Sequence, residues 1–143
     1  MHEIKEETSL NAADTQWIYD GLLAADPQSE PRRFAPLVLS LRDSEARLMG
    51  GVLAATAWNW LSIDALWIDE SLRGRGYGQA LLVETEALAR KRGCTHARLD
   101  TFDFQARGFY ERFGYTVYAQ LDGFPAGHTQ FHLRKTLSPA RRS

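Results

Sequence analysis

The chain has 143 residues, of which 44% are hydrophobic and 24% charged, and this is the composition of one ordinary globular domain with a real core. Its net charge of -1 argues against a nucleic-acid binder, and no apolar stretch reaches the roughly 18 residues that a membrane helix needs. The single cysteine, Cys94, excludes an internal disulfide. Because residues 1–7 are polar and acidic, unlike a signal peptide, we expect a cytoplasmic protein.

The amino-terminal part of the chain predicts one helix and a break. Residues 8–25 carry a helical pattern with Asn11 or Ser9 as candidate cap, and their apolar stripe consists of Trp17, Ile18, Leu22 and Leu23. Residues 26–31 contain two prolines and end the helix.

Three strand-like runs follow, at residues 34–42, 46–58 and 60–69, with turns at 43–45 and Asn59. The pair Gly50-Gly51 inside the second run predicts a bulge or a close backbone approach. Trp58 and Trp60 flank the second turn, either as hairpin-end packing or as lids on a substrate pocket. We favour packing, because aromatic cross-strand pairs stabilise sheets.

The carboxy-terminal half predicts alternating helices and strands. Residues 79–92 form a helix whose apolar face is Leu81, Leu82, Thr85, Leu88 and Ala89, and whose charged residues, Glu84, Glu86, Arg90 and Lys91, are expected mostly outside that face. Residues 95–102 predict a strand with Leu99 and Thr101 on one face and Arg98 and Asp100 on the other. A short helix at 105–113 and strands at 115–121 and 128–133 complete the chain.

The most informative segment lies between a predicted strand and a predicted helix and reads Arg73-Gly74-Arg75-Gly76-Tyr77-Gly78. Glycine permits positive φ and a close approach of the backbone to a ligand. The first amides of a helix have no partner inside it, so they suit a phosphate. Three glycines in a turn are also compatible with plain loop geometry, and the loop alone does not decide between the two.

A second motif follows the loop after one helix and one strand. Residues 103–115 read Asp-Phe-Gln-Ala-Arg-Gly-Phe-Tyr-Glu-Arg-Phe-Gly-Tyr. This segment resembles Asn-x-x-Ala-x-x-Phe-Tyr-x-x-x-Gly-Phe, and Arg73-x-x-Gly76-x-Gly78 resembles (Arg/Gln)-x-x-Gly-x-(Gly/Ala), the two signatures of the GNAT superfamily of acyl-CoA-dependent N-acyltransferases. They occur in the family's order, and the resemblance spans residues 53–137.

The resemblance implies an α+β fold with a central, mostly antiparallel twisted sheet, splayed middle strands and flanking helices. The length of the chain predicts one such domain over residues 1–137, and we expect the last residues, 138–143, to form a flexible tail. The resemblance also implies acetyl-CoA as cosubstrate and no metal. The phosphates would lie on the loop, the pantetheine arm along the splayed strand, and other contacts on the second motif, and the residues implied are Leu66, Trp67, Ile68, Arg73, Gly74, Arg75, Gly76, Tyr77, Gly78, Gln105 and Phe109.

Acyl transfer to an amine needs a path for the amine proton and an acid for the leaving thiolate. Tyr110 matches the family tyrosine close to the sulfur, and a phenol with a pKa near 10 is protonated at neutral pH. Glu70 and Asp69 follow the splayed strand and are the carboxylates nearest the expected reaction centre. We name Glu70 as candidate base, although it could equally pair with Arg73 or Arg75.

One position departs from the family pattern, because Asp103 stands where the family has Asn. An ionised Asp only accepts hydrogen bonds, so we expect Asp103 to cap the following helix, with Gln105 as a replacement donor. The segment 125–128, Pro-Ala-Gly-His, resembles a loop of some small bacterial GNAT proteins. His128 is therefore a candidate pocket residue or second base, although a histidine at a strand start is more often structural.

Three functions are compatible with these motifs. The first is acetylation of a small-molecule amine, the second is acetylation of a protein N-terminus or lysine, and the third is CoA binding without turnover as a sensor or interaction module. The intact loop and Tyr110 favour catalysis. The first helix, the turn at 58–61 and the loop near Phe124 are expected to form the acceptor pocket, with an aromatic and acidic lining from Trp58, Trp60, Asp64 and Asp122. Exposed sheet edges make a homodimer reasonable.

Overall fold

The computed structural model describes residues 1–27 and 31–139. The chain divides into two compact units, residues 1–32 and 33–143. The first unit contains α1 (Ala12–Leu23), and Asn11 caps it by accepting a 2.7 Å hydrogen bond from the backbone N–H of Asp14. This confirms the cap, while the contribution of α1 to an acceptor pocket stays a prediction. Residues 28–30 of the expected break and 140–143 of the expected tail lie outside the described residues.

The second unit is a six-stranded sheet in the order β1-β2-β3-β4-β6-β5. Its strands are β1 (Ala35–Arg42), β2 (Leu48–Ala57), β3 (Trp60–Ile68), β4 (His96–Phe102), β5 (Thr116–Asp122) and β6 (Thr129–Thr136). Its helices are α2 (Tyr77–Lys91), α3 (Arg107–Arg112) and the 3-10 turn Glu70–Leu72. Among the described strands, only β3 and β4 pair in parallel, so the expected α+β fold with a mostly antiparallel sheet is confirmed.

Two adjacent glycines let three strands approach closely. A Cβ atom at Gly50 would lie 2.6 Å from the carbonyl oxygen of Trp67, and one at Gly51 would lie 2.5 Å from that of Leu39. The β1–β2 register also shifts between Leu41 and Arg42, beside Gly50. The predicted close approach is therefore present, together with a nearby irregularity of the ladder.

The turn between β2 and β3 explains where Trp58 and Trp60 lie. Trp58 and Asn59 have φ values of 48° and 64°, which is the left-handed conformation of a tight two-residue hairpin turn. Trp60 stacks on His96 of β4 with 4.6 Å between ring centroids. Trp60 therefore packs between neighbouring strands, as expected. Neither tryptophan is among the described residues that line the cleft between the ends of β3 and β4.

The core lies between one face of the sheet and the helices α2 and α3, and α2 buries Leu81, Leu82, Thr85, Glu86 and Ala89. The prediction that Glu86 lies outside the apolar face was wrong, because its side chain is buried. Four residues after Leu82 and three before Ala89, it occupies the same helix face as they do. Burial is possible because Glu86 accepts hydrogen bonds from the Tyr115 hydroxyl at 2.7 Å and from Lys135 Nζ at 2.9 Å.

Candidate active site

The parallel strands β3 and β4 part halfway along the sheet. Their pairing runs from Trp60–His96 to Ile63–Leu99 and ends there, although β3 continues to Ile68 and β4 to Phe102. On the other side of β3, Ala65 faces Leu53 and Ile63 faces Ala54, so Asp64 is an extra residue in the ladder. Such a bulge bends its strand, and β3 therefore turns away from β4 at Asp64.

A cleft of about 910 Å³ occupies the gap that this parting opens. Its walls are the end of β3, the glycine loop with the start of α2, the end of β4, and α3 with the turn before it. The predicted site residues that it brings together are Leu66, Trp67, Ile68, Arg73, Gly74, Gly76, Tyr77, Gly78, Gln105, Phe109 and Tyr110. Glu70 and Arg75 are the predicted site residues that are not among the described lining residues.

The three glycines of the loop serve different purposes. Gly74 and Gly76 have φ values of 77° and 85°, and Gly76 is the residue from which α2 begins. Added Cβ atoms there would meet nothing within 4 Å, so the requirement is conformational. At Gly78 the requirement for glycine is spatial, because a Cβ atom would lie 3.3 Å from the ring of Phe109.

The positive end of α2 is available to an anion. No acidic residue lies in the first turn of α2, so no side-chain carboxylate there competes for its amides. The start of the helix and the loop before it line the cleft together. Backbone donors of this kind fit the phosphates of a nucleotide cofactor.

Arg73 stands at the edge of this anion site. Its Nε donates a 3.0 Å hydrogen bond to the carbonyl oxygen of Ile68, and its guanidinium lies 5.5 Å from the ring centroid of Trp67. This bond uses Nε, so the terminal nitrogens are the atoms that would meet a phosphate. Arg73 thus joins the end of β3 to the glycine loop.

Tyr110 lies on α3 at the wall of the cleft, with 9% of its surface exposed. Its ring packs edge-on against Phe109 and Tyr115. Burial raises the pKa of the Tyr110 phenol above its ordinary value. The hydroxyl therefore stays protonated at neutral pH, as a proton donor must.

The two carboxylates after β3 differ in what the structure offers them. Asp69 accepts hydrogen bonds from the hydroxyl and the backbone N–H of Ser71, and these bonds lower the pKa of Asp69. A carboxylate stabilised in its ionised form is a weaker base. Glu70 opens the 3-10 turn and is exposed. Among the described residues, the carboxylates that line the cleft are Asp64 and Asp100.

Asp103 does not cap α3, so that expectation was wrong. The helix begins after Ala106 without a side-chain cap, and Asp103 instead accepts hydrogen bonds from His128 Nδ1 at 2.9 Å and Thr129 N at 3.2 Å. The helix starts too far downstream for Asp103, whereas the start of β6 lies beside it. His128 is outside the cleft lining among the described residues, and its bond to Asp103 fastens the β5–β6 loop.

Gln105 holds the turn between β4 and α3. Its Oε1 accepts hydrogen bonds from the Thr101 hydroxyl at 3.1 Å and from the backbone N–H of Phe102 at 3.2 Å. A backbone N–H can only donate, so the oxygen of the amide must point to β4. The NH2 group is the end of Gln105 that can donate towards the cleft.

The described part of the chain offers neither a metal site nor a membrane-spanning helix. Residues 1–27 and 31–139 contain no group of three or more His, Cys, Asp or Glu side chains that could hold a metal ion. Within the same ranges, no helix has the length and apolar character needed to cross a membrane.

Comparison with known proteins gives a consistent result. The acetyltransferase (GNAT) family matches residues 2–115. The chain is 43% identical over 91 residues to blasticidin-S acetyltransferase from Streptomyces morookaense, covering 63% of this chain and 67% of that protein. It is 35% identical over 99 residues to an acetyltransferase of Agrobacterium fabrum, covering 69% and 72%. The crystal structure of an acetyltransferase from Bacillus cereus is similar with a TM-score of 0.82 and 31% identity, covering 93% and 98%.

Proposed function

Because the chain belongs to the acetyltransferase (GNAT) family and is an acyltransferase enzyme, we propose that it transfers the acetyl group of acetyl-CoA to a primary amine of a small molecule. The amine attacks the thioester directly. The observation that carries this proposal is the cleft at the parting of β3 and β4, which has the glycine loop on one wall and Tyr110 on another.

The residues of the cleft fit acetyl-CoA, which supplies a thioester-activated acetyl group when bound. The left-handed loop at Gly74 and Gly76 and the start of α2 present backbone N–H groups to its phosphates. Arg73 adds a charge-assisted contact. Past Ile63, the main chain of residues 66–68 has no partner on β4, so an extended pantetheine arm can pair with it in the manner of an added strand.

Tyr110 acts as the acid in this proposal. The amine nitrogen forms a bond to the acetyl carbon, the carbon–sulfur bond breaks, and the thiolate takes a proton from the Tyr110 hydroxyl. The raised pKa of Tyr110 keeps that proton in place until the thiolate forms. Glu70 remains the base suggested by sequence, although among the described residues it does not line the cleft.

The relatives favour a small molecule as acceptor. The similarity to blasticidin-S acetyltransferase has the highest identity of the comparisons above and covers two thirds of that protein. Blasticidin S is therefore the first acceptor to test.

The proposal also includes a location and an assembly. We expect the protein to act in the cytoplasm, and the exposed edge strand β5 is the surface through which a homodimer would form.

The test begins with calorimetric titration by acetyl-CoA and by CoA, followed by thiol release in the presence of an amine panel. The panel contains blasticidin S, 1,4-diaminobutane, an amino-acid amide and hydroxylamine. Binding with thiol release to any of them supports the proposal. Binding without release on the panel would favour a protein amine or a sensor role, and absence of binding would overturn the assignment of the cleft to acetyl-CoA.

A further inference from the structure

A histidine–aspartate pair lies at the parting of β3 and β4 on the sheet face away from α2 and α3. Along β4, Leu99 and Thr101 are buried in the core, whereas Asp100 between them points to the opposite face. Asp100 is directly opposite His132 in the β4–β6 register, and Asp100 Oδ1 is 2.6 Å from His132 Nδ1. Asp100 also lines the cleft, one residue beyond the last β3–β4 pair.

We propose that Asp100 and His132 form the base that removes a proton from the acceptor amine, and that Asp64 and Asp100 select a cationic amine as substrate. This inference rests on the proposed acetyl transfer and goes beyond it by naming the base and the charge of the acceptor. Asp64 and Asp100 are the two carboxylates on the cleft wall among the described residues, and they come from the two strands that part.

The geometry separates the two proton transfers. Tyr110 packs with the core on the helix side of the sheet, and Asp100 faces the other side, yet both line one cleft. A thiol can therefore leave on the helix side while an amine enters from the opposite side. The reacting carbon would lie between an acid and a base, as acyl transfer requires.

The hydrogen bond at Nδ1 fixes the role of the imidazole. With Nδ1–H donating to the Asp100 carboxylate, the remaining ring nitrogen, Nε2, is the one that accepts a proton. Asp100 lines the cleft and His132 is not among its described lining residues, so the amine proton reaches Nε2 through a water molecule. Asp100 orients the ring and stabilises the imidazolium that forms. Arg98 also contacts the Asp100 carboxylate, with 3.2 Å between Nη2 of Arg98 and Oδ1 of Asp100.

Four further charged or titratable groups lie near the pair, on its own two strands and on β3 and β5. Asp64 belongs to β3 and Arg98 to β4. Tyr118 of β5 lies 6.1 Å from the His132 ring, between ring centroids, and Arg134 of β6 lies over Tyr118 at 5.7 Å. Arg98 also donates to Ser62 Oγ at 3.5 Å, so this cation is tied between β3 and the Asp100 carboxylate. Asp64 adds a second carboxylate to the cleft wall beside Asp100, and a cationic amine would meet both there.

The proton balance closes with these groups. An ammonium acceptor loses two protons when it becomes an amide. His132 Nε2 takes the first and passes it to solvent. The second replaces the proton that Tyr110 donates to the leaving thiolate, so that Tyr110 ends in its starting form.

The test compares Asp100→Asn and His132→Gln with wild type. The acceptor is the ammonium-type amine of the panel that wild type acetylates fastest. We expect kcat/KM at neutral pH to fall by about 100- to 10,000-fold, with the loss shrinking as pH rises because the amine then arrives neutral. Hydroxylamine, which is mostly neutral at neutral pH, should be acetylated nearly as fast as by wild type, and the Kd for acetyl-CoA should change less than about twofold.

Two matched substitutions control for the change of residue alone. His96→Gln alters a histidine that stacks on Trp60 at the paired end of β3 and β4, and Glu84→Gln neutralises an exposed carboxylate of α2. Both should keep the wild-type pH profile. Glu70→Gln is compared in the same assay, since a pH-dependent loss there, with none in Asp100→Asn, would move the base to Glu70.

The remaining outcomes are equally decisive. If kcat/KM is unchanged in both Asp100→Asn and His132→Gln, the inference is overturned. Wild-type turnover in the same assay would still support the proposed function. An equal loss with hydroxylamine at every pH would show a merely structural role and also overturn it. Absence of wild-type turnover with the whole panel would overturn the proposed function and the base assignment together.

Discussion

The phenol of Tyr115 donates a 2.7 Å hydrogen bond to Oε2 of Glu86, and both side chains are almost completely buried. Lys135 Nζ lies 2.9 Å from the other carboxylate oxygen and balances its charge. The three residues come from α2, from the residue before β5, and from β6. They therefore join α2, which starts at the glycine loop, to the β5–β6 side of the sheet, which follows α3 in the chain.

The network formed by Tyr115, Glu86 and Lys135 predicts how much stability is lost when the carboxylate is removed. Glu86→Gln leaves Lys135 without its partner and should lower the free energy of unfolding by about 2–3 kcal/mol, less than for a fully buried pair because water reaches part of the lysine. Tyr115→Phe should cost about 1–2 kcal/mol. Urea denaturation measures both.

A control on the same helix separates the network from the general effect of removing a carboxylate. Glu84 is exposed on α2, and Glu84→Gln should change the free energy of unfolding by less than about 0.5 kcal/mol. Equal losses in Glu84→Gln and Glu86→Gln would contradict the network as a source of stability.

The same tyrosine predicts how stability depends on alkaline pH. Burial, and then the charge of Glu86, raises the pKa of Tyr115 above its ordinary value of 10.0. The unfolded chain loses this proton first as pH rises, so the stabilising contribution is complete below about pH 10 and is lost above it, at up to about 1.4 kcal/mol per pH unit. Tyr115→Phe should have a shallower alkaline slope in urea denaturation at a series of pH values. A slope equal to that of wild type would refute the linkage.

The sequence predicted those parts of the site that local chemistry determines. The glycine loop, the helix after it and the tyrosine of α3 lie on short stretches whose residue types reveal their conformation. Periodicity also placed Leu99 and Asp100 on opposite faces of β4. The charge of Glu86 predicted that it lies outside the apolar face of α2, whereas its position in the helix puts it on that face. The prediction was wrong because partners 29 and 49 residues away make its burial possible.

The missed candidates depend on pairing between distant strands. Asp100 and His132 are 32 residues apart, and only the β4–β6 register brings them together. The fastening of Asp103 to His128 has the same origin, with 25 residues between the partners. One signal was available: Asp100 is a charged residue near the end of a strand that was expected to splay.

The glycine loop predicts two different defects. Gly76→Ala should lower the affinity for acetyl-CoA by about 10-fold or more while the fold is kept, because it disturbs the left-handed start of α2 without a clash. Gly78→Val should also lower the melting temperature, because its side chain meets Phe109. Calorimetric titration and thermal denaturation distinguish the two.

Gly108→Ala is the matched control for the loop variants. Gly108 lies in α3, and a Cβ there meets nothing within 4 Å. Alanine in a helix should be neutral or slightly stabilising, with acetyl-CoA affinity unchanged. If Gly108→Ala weakened binding as much as Gly76→Ala, the loop conformation would not be the cause of the defect.

Tyr110→Phe tests the acid separately from cofactor binding. The substitution keeps the ring that packs against Phe109 and Tyr115, so the Kd for acetyl-CoA should stay within about twofold, while kcat falls by about 100-fold or more. Tyr115→Phe is the control, because it removes a buried phenol outside the cleft lining of the described residues. That variant should lose stability and keep its kcat below its unfolding transition. Steady-state kinetics at neutral pH measure both, and an unchanged kcat in Tyr110→Phe would mean that the thiolate receives its proton from water or leaves unprotonated.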